Sequence, residues 1–270
     1  MISCVVPTLN SAATLDNTLL SLHSQKDVEV KITVADSGST DGTLDICKRW
    51  NVPTLYVEPG NMYRAINAGL CQSKTEWFAY LNSDDWLYPD SFARLIAKGN
   101  SLNSDVVYGN CDYVDNTGRF VYSFAAAKPN QLFSLFKMGI LGFAQQSAIF
   151  RCNTYQKLNG FNEYYSLSSD ADFYSRALKL GISFTFIDGP PVACFRLHTN
   201  QLSNTKFEAM ELEKKEIYQE FIQNAGIYDW LTLAQWRLRN TPHYLIRMLR
   251  ESLLSGRLKM SKSMKADTAY

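Results

Sequence analysis

The sequence predicts an α/β fold, with a mostly parallel central sheet flanked by helices and a helical extension at the C-terminal end. Short apolar strands alternate with helical patterns five times over about 110 residues. Strands separated by helices in this way pair in parallel within one sheet. Beyond them the alternation breaks, and from Lys206 onward the pattern is helical. We therefore divide the chain into a nucleotide-binding first half (residues 1–110), a second half of the same domain (111–205) and a tail (206–270).

Two kinds of apolar pattern mark the strands of the first half. Ile2–Val6 is an apolar run in which Ser3 is the one polar residue, a pattern typical of a strand buried on both faces. Residues 28–34 alternate apolar and polar side chains, which is the period of a half-buried strand. Further strands are predicted at residues 55–57, 77–81 and 106–109, and helices at residues 15–22, 43–50, 60–70 and from Pro89.

The second half contains a more mixed set of predicted elements. The turn residues Asp115–Gly118 lie between two β-rich stretches and predict a hairpin over residues 111–124. Residues 129–142 predict a short amphipathic helix that runs into a loop. A helix is predicted over residues 168–180, with Gly181 placed to end it. Strands are predicted at residues 145–150, 183–187 and 192–196.

Composition narrows the class of protein. The chain has 270 residues, of which 46% are hydrophobic and 20% charged, as expected for a globular protein with a sizeable core. A net charge of +1 gives no support to nucleic acid as a partner. The six cysteines form no C-x-x-C pair and are interpreted as buried residues in a reducing compartment. No signal peptide pattern and no apolar run of about 20 residues is present, so we expect a cytoplasmic protein.

Polar side chains follow three of the predicted strands: Thr8 with Asn10, then Asp36, then Asp84 with Asp85. Because the carboxyl ends of parallel strands share one edge of a sheet, these groups can converge on one ligand. Two adjacent carboxylates there suit a hard divalent cation that is shared with substrate phosphates. The alternative is that each group only caps the helix that follows it, since these residue types favour helix starts and turns.

Two common nucleotide-binding motifs are missing from the sequence. It has neither a G-x-x-x-x-G-K-[ST] loop nor a G-x-G-x-x-G fingerprint, which disfavours P-loop NTPases and standard dinucleotide-dependent dehydrogenases. A sugar-phosphate nucleotidyltransferase stays open as an alternative. It would need a glycine-rich, basic loop after the first strand, and Pro7–Ser11 has neither glycine nor positive charge.

Three segments together resemble family 2 glycosyltransferases. These are Val5–Asn10, Asp36–Thr43 and Leu81–Asp85, which occur in the order of that family and each at a strand end. The resemblance covers about the first 205 residues. It implies a GT-A fold, inverting transfer from a nucleotide-diphosphate sugar to a hydroxyl acceptor, and dependence on Mg2+ or Mn2+.

The resemblance also implies roles for single residues on the donor side. Thr8, Asn10 and Asp36 would line the nucleoside pocket, with Asp36 binding the base or the ribose. Arg64 and Asn67 would contact the donor from the helix that follows Gly60. The alternative for Arg64 is a solvated helix face.

The D-x-D motif of the family corresponds to Asn82-Ser83-Asp84 in this chain. Asp84 would bind the metal, with Asp85 in support, while Asn82 replaces the first acid of the motif with an uncharged amide that can still hydrogen-bond a ribose. His198, in a late Arg-x-His segment, would complete the metal shell or contact the diphosphate. Imidazole is an uncommon ligand for Mg2+ and an acceptable one for Mn2+.

An inverting transfer needs a base that takes the proton of the acceptor hydroxyl. Ser169–Arg176 resembles the acidic motif on the acceptor side of the family, and Asp170 fits the position of the base. Asp172 would stabilise the site or bind the acceptor. The alternative is that both acids only favour the N-terminus of their helix.

The tail is basic and amphipathic, a pattern that fits a membrane surface as well as packing on the domain, and the sequence leaves both open. Eight basic residues lie toward its C-terminal end: Arg237, Arg239, Arg247, Arg250, Arg257, Lys259, Lys262 and Lys265. A membrane-bound tail (residues 227–265) would agree with a surface glycan or a lipid-linked sugar as acceptor at the cytosolic face. A non-catalytic nucleotide-sugar or glycan binding module remains the other alternative, because of Asn82.

Overall fold

Two sheets with helices packed on them make up the part of the chain that the computed structural model describes, residues 1–199 and 201–255. The strands are β1 (Ile2–Thr8), β2 (Val30–Asp36), β3 (Thr54–Tyr56), β4 (Trp77–Tyr80), β5 (Trp86–Leu87), β6 (Val106–Tyr108), β7 (Cys111–Val114), β8 (Phe120–Phe124), β9 (Ala148–Arg151), β10 (Phe184–Phe186) and β11 (Ala193–Arg196).

The helices alternate with the strands in the first half and dominate the C-terminal end. They are α1 (Leu15–His23), α2 (Thr43–Arg49), α3 (Met62–Cys71), α4 (Ser91–Leu102), α5 (Pro129–Lys137), α6 (Cys152–Lys157), α7 (Ser169–Lys179), α8 (Leu202–Thr205), α9 (Phe207–Ile222) and α10 (Ile227–Ser255).

The main sheet has seven strands in the order β10-β6-β9-β4-β1-β2-β3. All neighbouring pairs are parallel except those of β9, which runs antiparallel to β4 and to β6. The predicted mostly parallel central sheet flanked by helices is therefore confirmed. Every residue of β1 is buried, as its apolar run predicts, and its last residue Thr8 lies beside Asp36, the last residue of β2.

A second, four-stranded sheet has the order β5-β11-β7-β8. Its β7–β8 pair is the predicted hairpin, and β11 pairs antiparallel with the two-residue strand β5, with Cys194 opposite Trp86. Because β5 follows the Asp84-Asp85 turn directly, this pairing brings the end of β11 to the same corner as that turn.

The structure differs from the sequence-based elements at four places. The strand predicted at residues 145–150 begins only at Ala148, because Gln145–Ser147 forms a 3-10 turn in which the Ser147 amide donates to the Ala144 carbonyl (3.0 Å). Three elements were not predicted: β5, α6 and α8. Each is too short to show an apolar period of its own.

A cluster of aromatic rings attaches α7 to the main sheet. The Phe161 ring lies 5.3 Å from that of Tyr80, 5.9 Å from that of Phe150 and 4.6 Å from that of Phe173. Since these three partners belong to β4, β9 and α7, the cluster fixes the start of α7 relative to the C-terminal end of β4.

The C-terminal helices pack on the domain along one face. In α10 the Trp236 ring lies 5.5 Å from that of Phe124, and Asn240 bonds both the amide (2.9 Å) and the carbonyl (3.2 Å) of Ala125. In α9 the Tyr218 ring packs 5.5 Å from that of Phe136. Packing on the domain is thus confirmed for this face; the part of the predicted tail beyond residue 255 lies outside the described residues. Among the described helices, none is long and apolar enough to cross a membrane.

Candidate active site

The loop after β2 is built around the carboxylate of Asp36. Asp36 is 2% exposed and accepts hydrogen bonds from the Thr8 hydroxyl (3.0 Å), the Gly38 amide (2.9 Å) and both the amide (2.9 Å) and hydroxyl of Ser39. The carboxylate therefore organises its own loop rather than the start of α2, whose N-cap position is Gly42 and whose first amide, that of Thr43, bonds Asp41. Its role toward a base or ribose stays a prediction.

Three strand-end loops meet at this edge of the sheet. Asn10 adopts a positive φ of 52°. Its side-chain oxygen accepts a hydrogen bond from the Thr40 amide (2.9 Å), and its backbone N–H donates to the Ser39 hydroxyl (2.8 Å). The hydroxyls of Ser11 and Ser83 lie 2.7 Å apart. These contacts join the loops after β1, β2 and β4, so the predicted convergence of the strand-end groups is present in the structure.

Asp84 and His198 form a pair at the end of β4. His198 Nε2 lies 2.8 Å from Asp84 Oδ2, and both side chains are one-quarter exposed. The His198 amide donates to the Gln201 side chain (3.1 Å), which fixes the backbone of the histidine. A carboxylate and an imidazole in contact, reachable from solvent, can share a cation or a proton.

Asp85 has a different environment from its neighbour. It is fully buried, and its Oδ1 accepts the Arg196 amide (3.0 Å). Burial, and then the negative charge of Asp84, raise the pKa of Asp85 well above its ordinary value. Within the described residues, no three His, Cys, Asp or Glu side chains are grouped so as to hold a metal ion, so Asp84, Asp85 and His198 form no preassembled cage. Asp85 instead attaches the acidic turn to β11.

The turn nevertheless carries oxygen atoms suited to a cation. Asn82 Oδ1 and Asp85 Oδ2 are buried and have no hydrogen-bond partner among the residues that the structure describes. Unpartnered buried acceptors are rare, because an oxygen removed from water costs free energy unless a donor or a cation satisfies it. Together with Asp84 and His198 they give oxygen ligands and one imidazole, a set that fits Mn2+ and, through its oxygens, Mg2+.

Arg196 braces this corner, a role the sequence did not indicate. Its side chain donates to the carbonyls of Asp84 (3.0 Å) and Asn116 (3.1 Å), and its guanidinium lies 4.9 Å from the centre of the Trp86 ring. Since Arg196 is 7% exposed, it holds the backbone of the turn rather than contacting solvent.

Asp170 lies in the first turn of α7 and is bonded to Tyr63. The Tyr63 hydroxyl donates to Asp170 Oδ1 (2.9 Å), and the Tyr63 ring lies 6.2 Å from that of Tyr80, the last residue of β4. Loss of water raises the pKa of Asp170, opposed by the Tyr63 hydrogen bond and by the charge of Lys214. A partly exposed carboxyl with a raised pKa is suited to accepting a proton near neutral pH.

The two residues predicted on the donor helix are engaged within the protein. Asn67 accepts from the Phe161 amide (3.0 Å) and the Tyr155 hydroxyl (2.9 Å), and donates to Glu163 (3.0 Å). Arg64, about half exposed, lies 3.3 Å from the same Glu163. Asn67 thus ties α3 to the loop before α7, and donor contact by either residue stays a prediction.

Asp172 is paired rather than free. It lies 2.8 Å from Arg176, whose guanidinium also donates to the Gly160 carbonyl (2.9 Å). This pair holds the loop before α7 against the helix, so the structure gives Asp172 a bracing contact.

The chain matches the profile of a known protein family. A protein-family profile described as Glycosyl transferase family 2 matches residues 3–158. The chain belongs to glycosyltransferase family 2. The resemblance of the three strand-end motifs is therefore confirmed, and the chain is a glycosyltransferase rather than a nucleotidyltransferase.

Relatives of this family 2 glycosyltransferase occur in several bacteria. An uncharacterized glycosyltransferase of Rickettsia prowazekii is 27% identical over 234 residues, which cover 83% of this chain and 72% of the relative. A PGL/p-HBAD biosynthesis glycosyltransferase of Mycobacterium tuberculosis is 32% identical over 65% of this chain and 69% of its own length.

Solved structures share its fold. S. aureus TarS 1-349 in complex with UDP-GlcNAc matches 99% of this chain and 80% of its own, with a TM-score of 0.62 and 19% identity. The mannosyltransferase PcManGT from Pyrobaculum calidifontis, in complex with GDP-Man and Mn2+, matches 99% and 84% with a TM-score of 0.62 and 16% identity. The predicted GT-A fold is confirmed.

Proposed function

We propose that this family 2 enzyme is an inverting, metal-dependent glycosyltransferase that moves a sugar from a nucleotide-diphosphate sugar to a hydroxyl acceptor. One observation carries the proposal. Tyr63 bonds the carboxyl of Asp170 and packs against Tyr80, which supports a base close to the strand end that continues toward Asp84. A base and a diphosphate-binding corner on one edge of the sheet are what a single displacement requires.

Asp84 and His198 would hold the divalent cation, with Asn82 as a further oxygen donor. When bound, the cation neutralises the charge of the departing diphosphate. Asp85 would support the site indirectly, because its carboxylate accepts the Arg196 amide and so holds the turn that carries Asp84. The solved neighbour with Mn2+ supports a metal, since it shares the fold.

Asp170 would take the proton of the acceptor hydroxyl as that oxygen bonds to the anomeric carbon. The nucleoside diphosphate leaves from the opposite face, which inverts the configuration. The Tyr63 hydroxyl orients the carboxylate, and burial keeps its pKa raised, so the proton is accepted more readily than by an ordinary aspartate.

Thr8, Asn10 and Asp36 would bind the nucleoside, and Arg64 with Asn67 would contact the donor or support the loop beside it. The neighbours bound to UDP-GlcNAc and to GDP-Man support a sugar nucleotide as the donor. Relatives named for PGL/p-HBAD and succinoglycan biosynthesis support a surface polysaccharide or a lipid-linked glycan as the acceptor.

A ligand screen and one substitution test this function. We expect UDP, GDP or their sugars to raise the Tm more with Mn2+ than without it, because binding to the native state stabilises it. Asp170→Asn is expected to lower the transfer rate by about 10²–10⁴-fold while nucleotide binding persists. Its Tm at pH 7 should not fall, because a raised pKa means that the ionised carboxylate costs native stability there.

The exposed Asp188→Asn serves as the matched control and should leave transfer unchanged. If Asp170→Asn lost nucleotide affinity in proportion to activity, Asp170 would be a binding residue and not the base.

For the tail we propose an anionic membrane surface as partner. Ile227, Leu231, Leu238 and Leu245 lie four, seven and seven residues apart on α10, so they form one stripe, 81%, 63%, 71% and 49% exposed. We call these four residues the apolar stripe. It lies opposite the face that Trp236 docks on the domain.

Charge favours lipid over a second copy of the chain at the apolar stripe. Between residues 230 and 265 the sequence has eight basic residues and one acidic residue, Glu251. Two such segments would repel each other, whereas anionic head groups attract them. Amphipathic helices with basic flanks lie in membrane interfaces in this way.

A further inference from the structure

The segment that leads into α7 is held by a carboxylate from another helix. Glu213, in α9, accepts hydrogen bonds from the amides of Ser166 (2.9 Å), Leu167 (2.9 Å) and Ser168 (2.8 Å). The Ser166 hydroxyl adds a fourth bond at 3.2 Å. Because these amides are consecutive and point at one group, they form a concave anion-binding surface that the carboxylate fills.

The helix has no cap of its own at this end. Ser168 occupies the N-cap position but makes no side-chain bond to the first turn, and its hydroxyl instead donates to the Met210 carbonyl of α9 (3.4 Å). Hydrogen bonds to an ionised acceptor are about twice as strong as neutral ones. Glu213 therefore fixes the backbone two residues before Asp170.

Neighbouring residues of α9 act on the same segment. Glu216 accepts a bond from the Tyr165 hydroxyl (3.2 Å), and the charge of Lys214 is close enough to lower the pKa of Asp170. Side chains of α9 thus bond the segment that leads to Asp170 and also act electrostatically on Asp170 itself. This helix lies beyond residues 3–158, the part matched by the family profile.

We propose that Glu213 is a positioning residue for glycosyl transfer. It holds the Ser166–Ser168 backbone so that the Asp170 carboxylate lies at the acceptor hydroxyl. The inference rests on the proposed function, in which Asp170 is the base. A shift of about 1 Å in such a group can cost about 100-fold in rate, because proton transfer depends on alignment.

Glu213→Gln tests the proposal in the full chain. The amide group has nearly the same shape, but its NH2 faces backbone N–H groups and cannot accept from them. The assay follows nucleoside diphosphate release from UDP-GlcNAc or GDP-mannose with Mn2+, with water as acceptor, using the donor that the unsubstituted enzyme turns over faster. We expect kcat to fall about tenfold or more with an unchanged KM for the donor. Hydrogen exchange at the amides of residues 166–168 should become faster.

Glu220→Gln is the matched control. It lies on the same helix and pairs with Lys179 at the other end of α7, so both kcat and exchange near residue 166 should stay unchanged. Glu213→Asp keeps the charge on a shorter side chain and should have a kcat between those of Glu213→Gln and the unsubstituted enzyme. If Glu213→Gln folds poorly, Glu213→Asp replaces it in both measurements.

An unchanged kcat, an unchanged exchange rate, or an equal loss in donor affinity and kcat in Glu213→Gln would overturn the positioning role. Full activity of Asp170→Asn would overturn the base assignment itself, and the positioning role with it. The exchange measurement separates the two failures, because it reports the Glu213 contact without reference to catalysis.

Discussion

At the scale of single residues, the carboxylates of the candidate site differ in the number and kind of their partners. Asp36 accepts hydrogen bonds from several donors, Asp85 is buried and accepts one backbone amide, and the partly exposed Asp84 carboxylate contacts the imidazole of His198. These surroundings give chemically identical side chains different environments: Asp36 organises a loop, Asp85 anchors a turn, and Asp84 stays accessible for the cation proposed above.

Tyr63→Phe is expected to shift the acid limb of the pH dependence of kcat to higher pH. The hydroxyl stabilises the ionised form of Asp170, so its loss raises the pKa of Asp170 further, and the base then becomes deprotonated only at higher pH. A pH–rate profile measures this. Tyr174→Phe removes a buried hydroxyl for which the described part of the chain offers no hydrogen-bond partner, and it should leave the acid limb in place. An acid limb that Tyr63→Phe does not move would contradict the assignment of Asp170 as the base.

Asp84→Ala is expected to weaken the activation by Mn2+ by at least about tenfold, since it removes the exposed carboxylate of the pair with His198. Titration of activity with Mn2+ measures the change. Asp45→Ala, at an exposed pair with Lys48, is the control. An unaltered Mn2+ dependence in Asp84→Ala would remove Asp84 from the metal site.

Some residues of the site could not have been found from the sequence. Thr8, Asp36 and Asp84 were predicted because they end strands, and strand ends have a local signal. Tyr63 and Arg196 have no such signal. Tyr63 reaches Asp170 across 107 residues, and Arg196 reaches the Asp84 carbonyl across 112. Only the packing of α3 and β11 decides those contacts.

At the scale of elements, α3 must approach β1 closely to bring Tyr63 to the sheet edge. A Cβ at Gly69 would lie 2.6 Å from Val5 Cγ2, well inside van der Waals contact. The backbone of α3 therefore rests directly on the side chains of β1, and this distance sets where the helix begins relative to the end of β4.

Gly69→Ala is expected to destabilise the protein by about 1–3 kcal/mol, because the added methyl overpacks this contact. In a helix with free space at the glycine, the same change stabilises the protein by roughly 1 kcal/mol. The sign of the change in the free energy of unfolding therefore tells whether α3 is in close contact with β1. Urea denaturation measures it. The exposed Gln72→Ala, at the end of the same helix, is the control, and a gain in stability from Gly69→Ala would refute the close approach.

At the scale of the whole molecule, α10 has two apolar faces, and the domain covers one of them. Replacing Leu231 and Leu238 together by Ser is expected to weaken binding to vesicles containing phosphatidylglycerol by about tenfold or more, because both side chains would leave the lipid. Co-sedimentation measures the bound fraction.

The control replaces Leu20 and Leu102, which are similarly exposed but lie on other helices. If the unsubstituted chain stayed in the supernatant, or if the substitutions changed only its oligomeric state, a protein and not a membrane would cover the apolar stripe.

The sequence by itself determined the alternation of strands and helices in the first half apart from the short strand β5, the parallel sheet, and the three loops at its edge. Those features follow from local periodicity and from the rule that parallel strands end on one side. The tertiary structure alone decided which groups meet. His198 reaches Asp84 across 114 residues and Glu213 reaches Ser168 across 45, because helix crossings and sheet order set these distances and periodicity does not.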